Sequence, residues 1–573
     1  DIIQLAVLVF VSALSGYLIG SADYSSRRTA EPPDPIEPLK PSASRLHVFK
    51  RSAVCTDAIP CSQIGRDILH VKNGSAVDAA IAAMFCNGLY NQQSMGLGGG
   101  FFMTVYLKHE EKAYIVNARE KAPGAFLRDK YFISFIFCVP GPLSMGVPGE
   151  LRGMWTAHKR WGTLPWESLV MPTVEICRAG FVMSKALYDG VTVLSSIKND
   201  PRLRKMYFNS EKNQFHKPGT LIKPYEELCN TLLRVAQNGG DDFYNGSLAR
   251  DLLDDLERVG SVITADDLAQ YEAKISDPIS LALPNGDTLY TPPPPSCGII
   301  LVNILNILSG YQFNPSIRLQ HALTLNARSK LVCNVRHESI CSQLIRNVSL
   351  PEFGDEIRLR INDTATSNNS ALYGAETYNQ EDSGTAHISI IAPSGDAVSV
   401  TSSINFYFGA GFTTHKTGII LNNVMDDFSS PGIINFFGLK PSPANAIAPH
   451  KRPLSSMNPS IIVDQSGNAK LVIGASGGTK ITTAVALVTM RKLWMGQNIK
   501  EAVDEARIHH QITPMDAEYE FGITEDIVSG LRAKGHGMIR YRGRGSIVCA
   551  LFRNKTGIYA NADFRKGGDV AGE

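Results

Sequence analysis

The chain has 573 residues, 44% of them hydrophobic and 19% charged, which is the composition of a folded globular protein and excludes a largely disordered one. Lys+Arg 56 against Asp+Glu 54 leaves a net charge of +2, so no basic excess marks a nucleic-acid partner. Ten cysteines are too sparse for a disulfide scaffold and none has C-x-x-C spacing, which argues against a structural zinc site or a thioredoxin-like redox site.

Residues Ile2 to Ile19 carry no charge, and an apolar run of about 18 residues is long enough to cross the hydrocarbon core as a helix. We read residues 1–21 as a signal-anchor transmembrane helix. The alternative is a cleaved signal peptide, which usually has a shorter apolar core and for which Gly20-Ser21-Ala22 supplies small residues. No second long apolar run follows, so the remainder is expected on one side of a membrane. Residues 22–46, rich in Pro, Ser and charge, read as a stalk. Glycosylation sequons at Asn245, Asn347, Asn362, Asn368 and Asn554 fit an extracellular domain. A sixth, at Asn73, falls in an alanine-rich helical pattern and is expected to stay unmodified.

From Ser62 to Tyr106 the pattern is helix (SAVDAAIAAMFCNGLY), glycine loop (MGLGGG) and strand (FFMTVYL). Glu150–Gly180 reads as helical, and Tyr244–Tyr271 as a helix, a glycine stop and a second helix capped by Thr264. Thr291–Gly298 (TPPPPSCG) is a rigid loop before an apolar helix. Thr385–Ala392 and Ala397–Ile404 alternate polar and apolar about the turn Pro393-Ser394-Gly395-Asp396, which predicts a β-hairpin. Ala469–Trp494 reads as strand, glycine turn, helix. Strands mixed with long helices make the class α/β or α+β.

Two nucleophiles compete. Gly474-Ala475-Ser476-Gly477-Gly478 matches G-x-S-x-G between a strand and a helix, which would make Ser476 the attacker, with Asp504 or Asp516 and then His536 downstream. Gly384-Thr385 stands directly before a strand. A Thr hydroxyl there can attack the preceding carbonyl, and cleavage frees an α-amine that serves the same residue as general base. The acidic pair in NNVMDDFSS is either an Asx turn or a carboxylate for a substrate ammonium, and Arg119 either a surface ion pair or a fork for a substrate carboxylate. MGLGGG lacks both dinucleotide and phosphate-loop spacing and reads as close backbone packing. His509-His510 lack a third ligand at metal spacing, and His387 reads as a packed or edge-strand residue.

The strings GSAVDAAIAA, SMGLGGGFF, VNARE, GVPGELRG, FYNGSL, SGTAHISI, NNVMDDFSSP, PLSSMNPSI and GASGGT, in this order from Val54 onward, resemble γ-glutamyltransferase (glutathione hydrolase) of the animal membrane-bound type. The resemblance implies an α+β fold, the four-layer αββα sandwich of N-terminal-nucleophile hydrolases. It implies self-cleavage at Gly384-Thr385 into a large (47–384) and a small (385–573) subunit that stay together as a heterodimer. It implies Thr385 as nucleophile, and Gly477 and Gly478 as oxyanion-hole amides. Arg119, Ser455 and Ser456 would contact the substrate α-carboxylate, Asn405 and Asp427 its α-amine, and Ser403 would stand where the family has a Thr beside the nucleophile. It also implies a Cys61–Cys86 disulfide, and neither cofactor nor metal. Expected substrates are glutathione and its γ-glutamyl conjugates, with water, amino acids or dipeptides as acceptors. Two departures stand out: Val424 replaces a second acid of the amine site, and residues 316–359 lack a family stretch. They motivate the rival expectation of an uncleaved, catalytically silent membrane paralogue.

Overall fold

The computed structural model describes residues 31–126, 141–313, 345–362, 364–367, 369, 377–378, 384–429, 440–512, 514–541, 543 and 545–573. The apolar run of residues 2–19 and the sequon Asn368 lie outside them. Among the described residues no helix is long and apolar enough to cross a membrane.

Two seven-stranded sheets organise the chain, and their strands are numbered here in order. β1 (His47–Phe49) and β2 (Ala53–Thr56) lead into helices α1 (Ile59–His70) and α2 (Ala76–Tyr90). β3 (Gly100–Leu107) and β4 (Lys112–Ala118) are followed by α3 (Glu150–Trp161), α4 (Glu167–Ala179) and α5 (Glu226–Asn238). β5 (Lys274–Ser276), β6 (Ile279–Ala282) and β7 (Thr288–Thr291) precede α6 (Gly298–Leu308). Then come β8 (Gly384–Ile391), β9 (Ala397–Asn405), β10 (Ser460–Val463) and β11 (Ala469–Ser476). Helices α7 (Lys480–Leu493) and α8 (Ile499–Asp504) lead to β12 (Ile547–Asn554), β13 (Gly557–Ala562) and β14 (Asp569–Gly572).

The first sheet has the order β14-β2-β8-β9-β3-β4-β5 and the second β1-β13-β12-β11-β10-β7-β6, all pairs antiparallel. One apolar core lies between the first sheet and α1–α5, a second between the other sheet and α6–α8, and a third between the sheets themselves. That is the four-layer αββα sandwich.

Local chemistry explains the elements. Ser75 and Asp78 cap α2 reciprocally, which satisfies two orphan donors at its start. Its alanine-rich run is buried almost throughout. The helix Ser247–Val259 ends at the left-handed Gly260, and Thr264 caps Ala265–Ala269. The expected hairpin is β8–β9, at the centre of its sheet and buried at every position because helices cover one face and the second sheet the other. Ala386, Ile388 and Ile390 enter the helical core. By the two-residue period of a strand, Thr385, His387 and Ser389 face the second sheet. There Ser389 Oγ donates to the Cys549 carbonyl (3.1 Å), and His387 sits over Gly474, where a Cβ would lie 2.2 Å from its ring.

Cys61–Cys86 ties α1 to α2, with Cα atoms 5.3 Å apart. A second disulfide, Cys177–Cys229, ties α4 to α5 and has no motif in the sequence to announce it. Residues 31–46 contain no helix or strand, as their composition predicts, yet they are docked on the chain's C-terminal part. Asp34 pairs with Arg540 and accepts from Tyr519 Oη (2.9 Å), and Ser42 and Ser44 donate to Asp504 (2.6 and 2.8 Å). Asn73 is not helical. It lies exposed in the α1–α2 loop in a left-handed conformation, so the alanine-rich pattern begins one turn later than expected. Asn245, Asn362 and Asn554 are exposed and Asn347 half-buried. Within 316–359, the described helix Pro351–Leu359 is bound to α6: Asn306 Nδ2 donates to the Val348 and Leu350 carbonyls (2.8 and 2.7 Å).

Candidate active site

Thr385 is buried at the start of β8, at a register irregularity between Gly384 and Thr385. Its Oγ1 donates to Ser403 Oγ (3.2 Å), and Ser403 Oγ donates to the Gly384 carbonyl (2.5 Å) while accepting from the Asn405 amide (2.9 Å). One hydroxyl therefore accepts from Thr385 Oγ1 and donates to the Gly384 carbonyl. The partner strand β3 comes close enough for this because Gly99 and Gly100, at the end of the MGLGGG loop, have no side chains to obstruct it. A Cβ on Gly99 would stand 2.3 Å from the Ser403 carbonyl. On the other side, Lys566 Nζ donates to the Thr385 carbonyl (2.8 Å) and pairs with Asp57 (2.7 Å), both groups being buried.

From Thr385 a continuous chain of contacts leads to the charged groups. Asn405, left-handed at φ +77°, ends β9, and its Nδ2 donates to the Asn423 carbonyl (3.1 Å). Its Oδ1 is buried without a hydrogen-bond partner among the described residues. Asn423 leads into the single helical turn Val424–Asp427. Asp427 pairs with Arg119, which also donates to the Leu454 carbonyl (3.1 Å) and pairs with Glu120 (3.3 Å). Ser455 follows Leu454, held by its amide on the Pro295 carbonyl (2.8 Å). The Ser456 carbonyl accepts from Thr482 Oγ1 (3.3 Å), in the first turn of α7. Gly477 and Gly478, with φ of +122° and +60°, form the turn between β11 and α7. They thus sit at the positive end of a helix.

Burial shapes the charges. The Glu120 carboxyl is pushed up to about 7 by burial, with Arg119 opposing, and Asp426 is pushed up to about 8 by burial. Burial lifts Asp427 as well, against the pull of Arg119 and Asn405. Arg119 and Asp427 together form a neutral pair, which suits a zwitterionic α-amino acid: its ammonium can take Asp427 and its carboxylate Arg119. Val424 is fully buried, and its Cγ1 lies 2.4 Å from where a Cβ on Gly146 would stand, so it forms an apolar wall against Gly146.

The structure brings Thr385, Ser403, Asn405, Asp427, Arg119 and the 454–456 loop into one network of contacts. Sequence reasoning missed Asp57, Lys566, Glu120 and Asn423. Glu120 and Asn423 lie inside the quoted strings VNARE and NNVMDDFSSP, next to residues that were singled out, whereas Asp57 and Lys566 are single side chains without motif spacing, Lys566 lying 181 residues from Thr385. The competing triad does not assemble. Ser476 Oγ is buried without a hydrogen-bond partner among the described residues. Asp504 is engaged by Ser42, Ser44 and Lys500, and His536 stacks edgewise near His510. Burial holds His387 neutral, lowered to about 3, between Thr401 and Ser389 in a central strand, not an edge. His509 is bonded to Thr483 and Gln511. Among the described residues, no three His, Cys, Asp or Glu side chains converge as a metal would require.

Comparison with known proteins agrees with this geometry. The profile of the family described as Gamma-glutamyltranspeptidase matches residues 61–573. The chain is 40% identical over 553 residues to Scoloptoxin SSD14 of Scolopendra dehaani, covering 94% of this chain and 95% of that protein. It is 35% identical over 557 residues to Glutathione hydrolase 5 proenzyme of Mus musculus, covering 91% and 93%. Among solved structures, cephalosporin acylase from Bacillus halodurans shares the fold with a TM-score of 0.78 at 22% identity, over 94% of this chain and 99% of that one.

Proposed function

The chain belongs to the gamma-glutamyltranspeptidase family, and we infer that it is a self-processing γ-glutamyl hydrolase and transpeptidase whose nucleophile is Thr385. The observation that carries the assignment is the Ser403 hydroxyl set between Thr385 Oγ1 and the Gly384 carbonyl. In the precursor, Thr385 Oγ1 attacks the Gly384 carbonyl carbon as its proton passes to Ser403, and Ser403 stabilises the developing oxyanion. The proton is passed on to the Thr385 nitrogen as the peptide C–N bond breaks, which frees the Thr385 α-amine and leaves the Gly384 acyl group as an ester on Thr385 Oγ1. Water then hydrolyses that ester, releasing the Gly384 carboxylate and the Thr385 hydroxyl.

In the mature site the α-amine takes the Thr385 Oγ1 proton. Oγ1 attacks the γ-carbonyl of glutathione or a conjugate while the oxyanion faces the Gly477 and Gly478 amides. Collapse expels cysteinylglycine as a neutral amine, with the proton returned from the Thr385 ammonium. Water or the amine of an amino acid or dipeptide then attacks the γ-glutamyl ester, giving hydrolysis or transfer by a ping-pong course. Arg119, Ser455 and Ser456 hold the α-carboxylate, and Asn405 Oδ1 and Asp427 the α-ammonium.

We also propose that the protein is anchored by its N-terminal helix in the plasma membrane with the catalytic part outside. The uncharged apolar run, two disulfides and exposed sequons support that placement. The test of the catalytic assignment is Thr385→Ala. It is expected to stay a single chain and to release no glutamate from a γ-glutamyl substrate, and a variant that cleaves and turns over would refute it.

A further inference from the structure

The turn carrying Gly477 is not free to choose its place. A Cβ on Gly477 would lie 2.5 Å from the Gly545 carbonyl oxygen and 2.8 Å from Ser546 Cα, so this peptide presses on the back of the turn. Gly545 is in turn backed by Tyr541, whose hydroxyl would stand 2.1 Å from a Cβ there. The Ser546 carbonyl accepts from Arg507 Nη1 (2.6 Å), which reaches Ser546 Oγ as well (3.1 Å). The other arm of the guanidinium bonds the Val503 carbonyl and pairs with Asp563. Asp563 is fully buried and accepts from the Val548 amide (3.0 Å) and from Arg565. Burial alone would raise its carboxyl, but Arg507 and Arg565 win and hold it below the usual range. A charged brace thus runs from Asp563 through Arg507 to Ser546, and Gly477 rests on the Cα of Ser546 and on the carbonyl of Gly545 just before it. Its span from Val503 to Ser546 suits the fixed planar fork of an arginine and not a lysine.

We propose that Arg507 is a positioning residue for the oxyanion site: by fixing the Gly545–Ser546 peptide it fixes the Gly477 amide at the place where the tetrahedral oxygen develops. The inference rests on the reading of Gly477 and Gly478 as oxyanion donors. Its effect belongs to the transition state. Arg507 touches neither the α-carboxylate nor the α-amine groups, so ground-state binding is expected to be indifferent to it.

The test compares wild type, Arg507→Lys and the milder Asp563→Asn. For each, kcat and KM are measured with a γ-glutamyl anilide, together with the affinities for glutamate and for a boronic acid in which boron replaces the γ-carbonyl carbon of glutamate. Boron accepts Thr385 Oγ1 and mimics the tetrahedral state, whereas glutamate does not. In Arg507→Lys, kcat and boronate affinity should fall together by about tenfold or more, with KM and glutamate affinity within about twofold. Asp563→Asn should show the same pattern at smaller amplitude, and it decides the matter should Arg507→Lys fail to mature. Unchanged kcat and boronate affinity, or equal losses of glutamate and boronate binding, would overturn the role of Arg507. If instead wild type binds the boronate no better than glutamate, the oxyanion reading itself fails, a result separable from the first.

Discussion

Ser403 bonds three partners with one hydroxyl, and that count decides which residue-scale change matters most. It accepts from Thr385 and Asn405 and donates to the Gly384 carbonyl. Ser403→Ala removes the donor on the scissile carbonyl, a loss of the order of 100-fold for an oxyanion contact. Self-cleavage should slow accordingly, while Ser403→Thr, which keeps the hydroxyl, should mature at close to the native rate. Time courses of precursor disappearance check this. Val424 makes a second residue-scale case. Its apolar wall leaves the ammonium to Asp427 and Asn405, so Val424→Glu should lower KM for γ-glutamyl substrates about tenfold through a charge-assisted bond worth ~1.5–3 kcal/mol. The same change puts a second acid beside buried Glu120 and should lower Tm. An unchanged KM would place the amine site elsewhere.

At the scale of elements, the hairpin β8–β9 was legible in the sequence because alternation survives over most of its length even where both faces are buried: Ala386, Ile388, Ile390, Val398 and Val400 meet helices, and His387, Ser389 and Ser399 meet the other sheet. The strand–turn–helix at Gly474–Gly478 was legible too, but its G-x-S-x-G spacing was ambiguous. What resolves it is three-dimensional, since Gly474 lies under His387 and Ser476 has no base. Lys566, Asp57 and the Cys177–Cys229 bridge could not be read in advance, because long-range pairing leaves no local periodicity. The first residue of α3 carries an element-scale prediction. Glu150 is buried, accepts from Ser402 Oγ (2.7 Å) and is pushed up to about 8 by burial. Below the ordinary carboxyl value of 4.5 both folded and unfolded chains hold this proton, and the group is neutral in its effect. Between 4.5 and about 8 the folded chain holds it and the unfolded chain does not. Stability therefore falls as pH rises through that window, by at most ~1.4 kcal/mol per pH unit. Glu120 and Asp426 slope the same way. Glu150→Gln should match wild type near pH 4, and its Tm advantage should grow up to about pH 8 and level off above it.

For the whole molecule, the two halves on either side of Gly384 are interlaced, so cutting there need not separate them. β14, from the last residues, pairs with β2 near the start, and β8 lies between β2 and β9. The docked segment 31–46 adds bonds from Asp34 and Ser42 to Arg540 and Asp504. Cleavage costs no sheet hydrogen bond within this arrangement beyond the irregular pair at Gly384, which is why a self-processed heterodimer can keep the fold of its precursor. The family and the sandwich followed from motif order, but the interlacing did not, since it depends on which distant strands become neighbours. The measurement that bears most directly on this account is the intact mass of the purified protein under denaturing conditions. Two polypeptides are predicted, the smaller beginning at Thr385, co-purifying until denatured. A single uncleaved chain that nevertheless hydrolyses γ-glutamyl substrates, or a cut at any other bond, would contradict it.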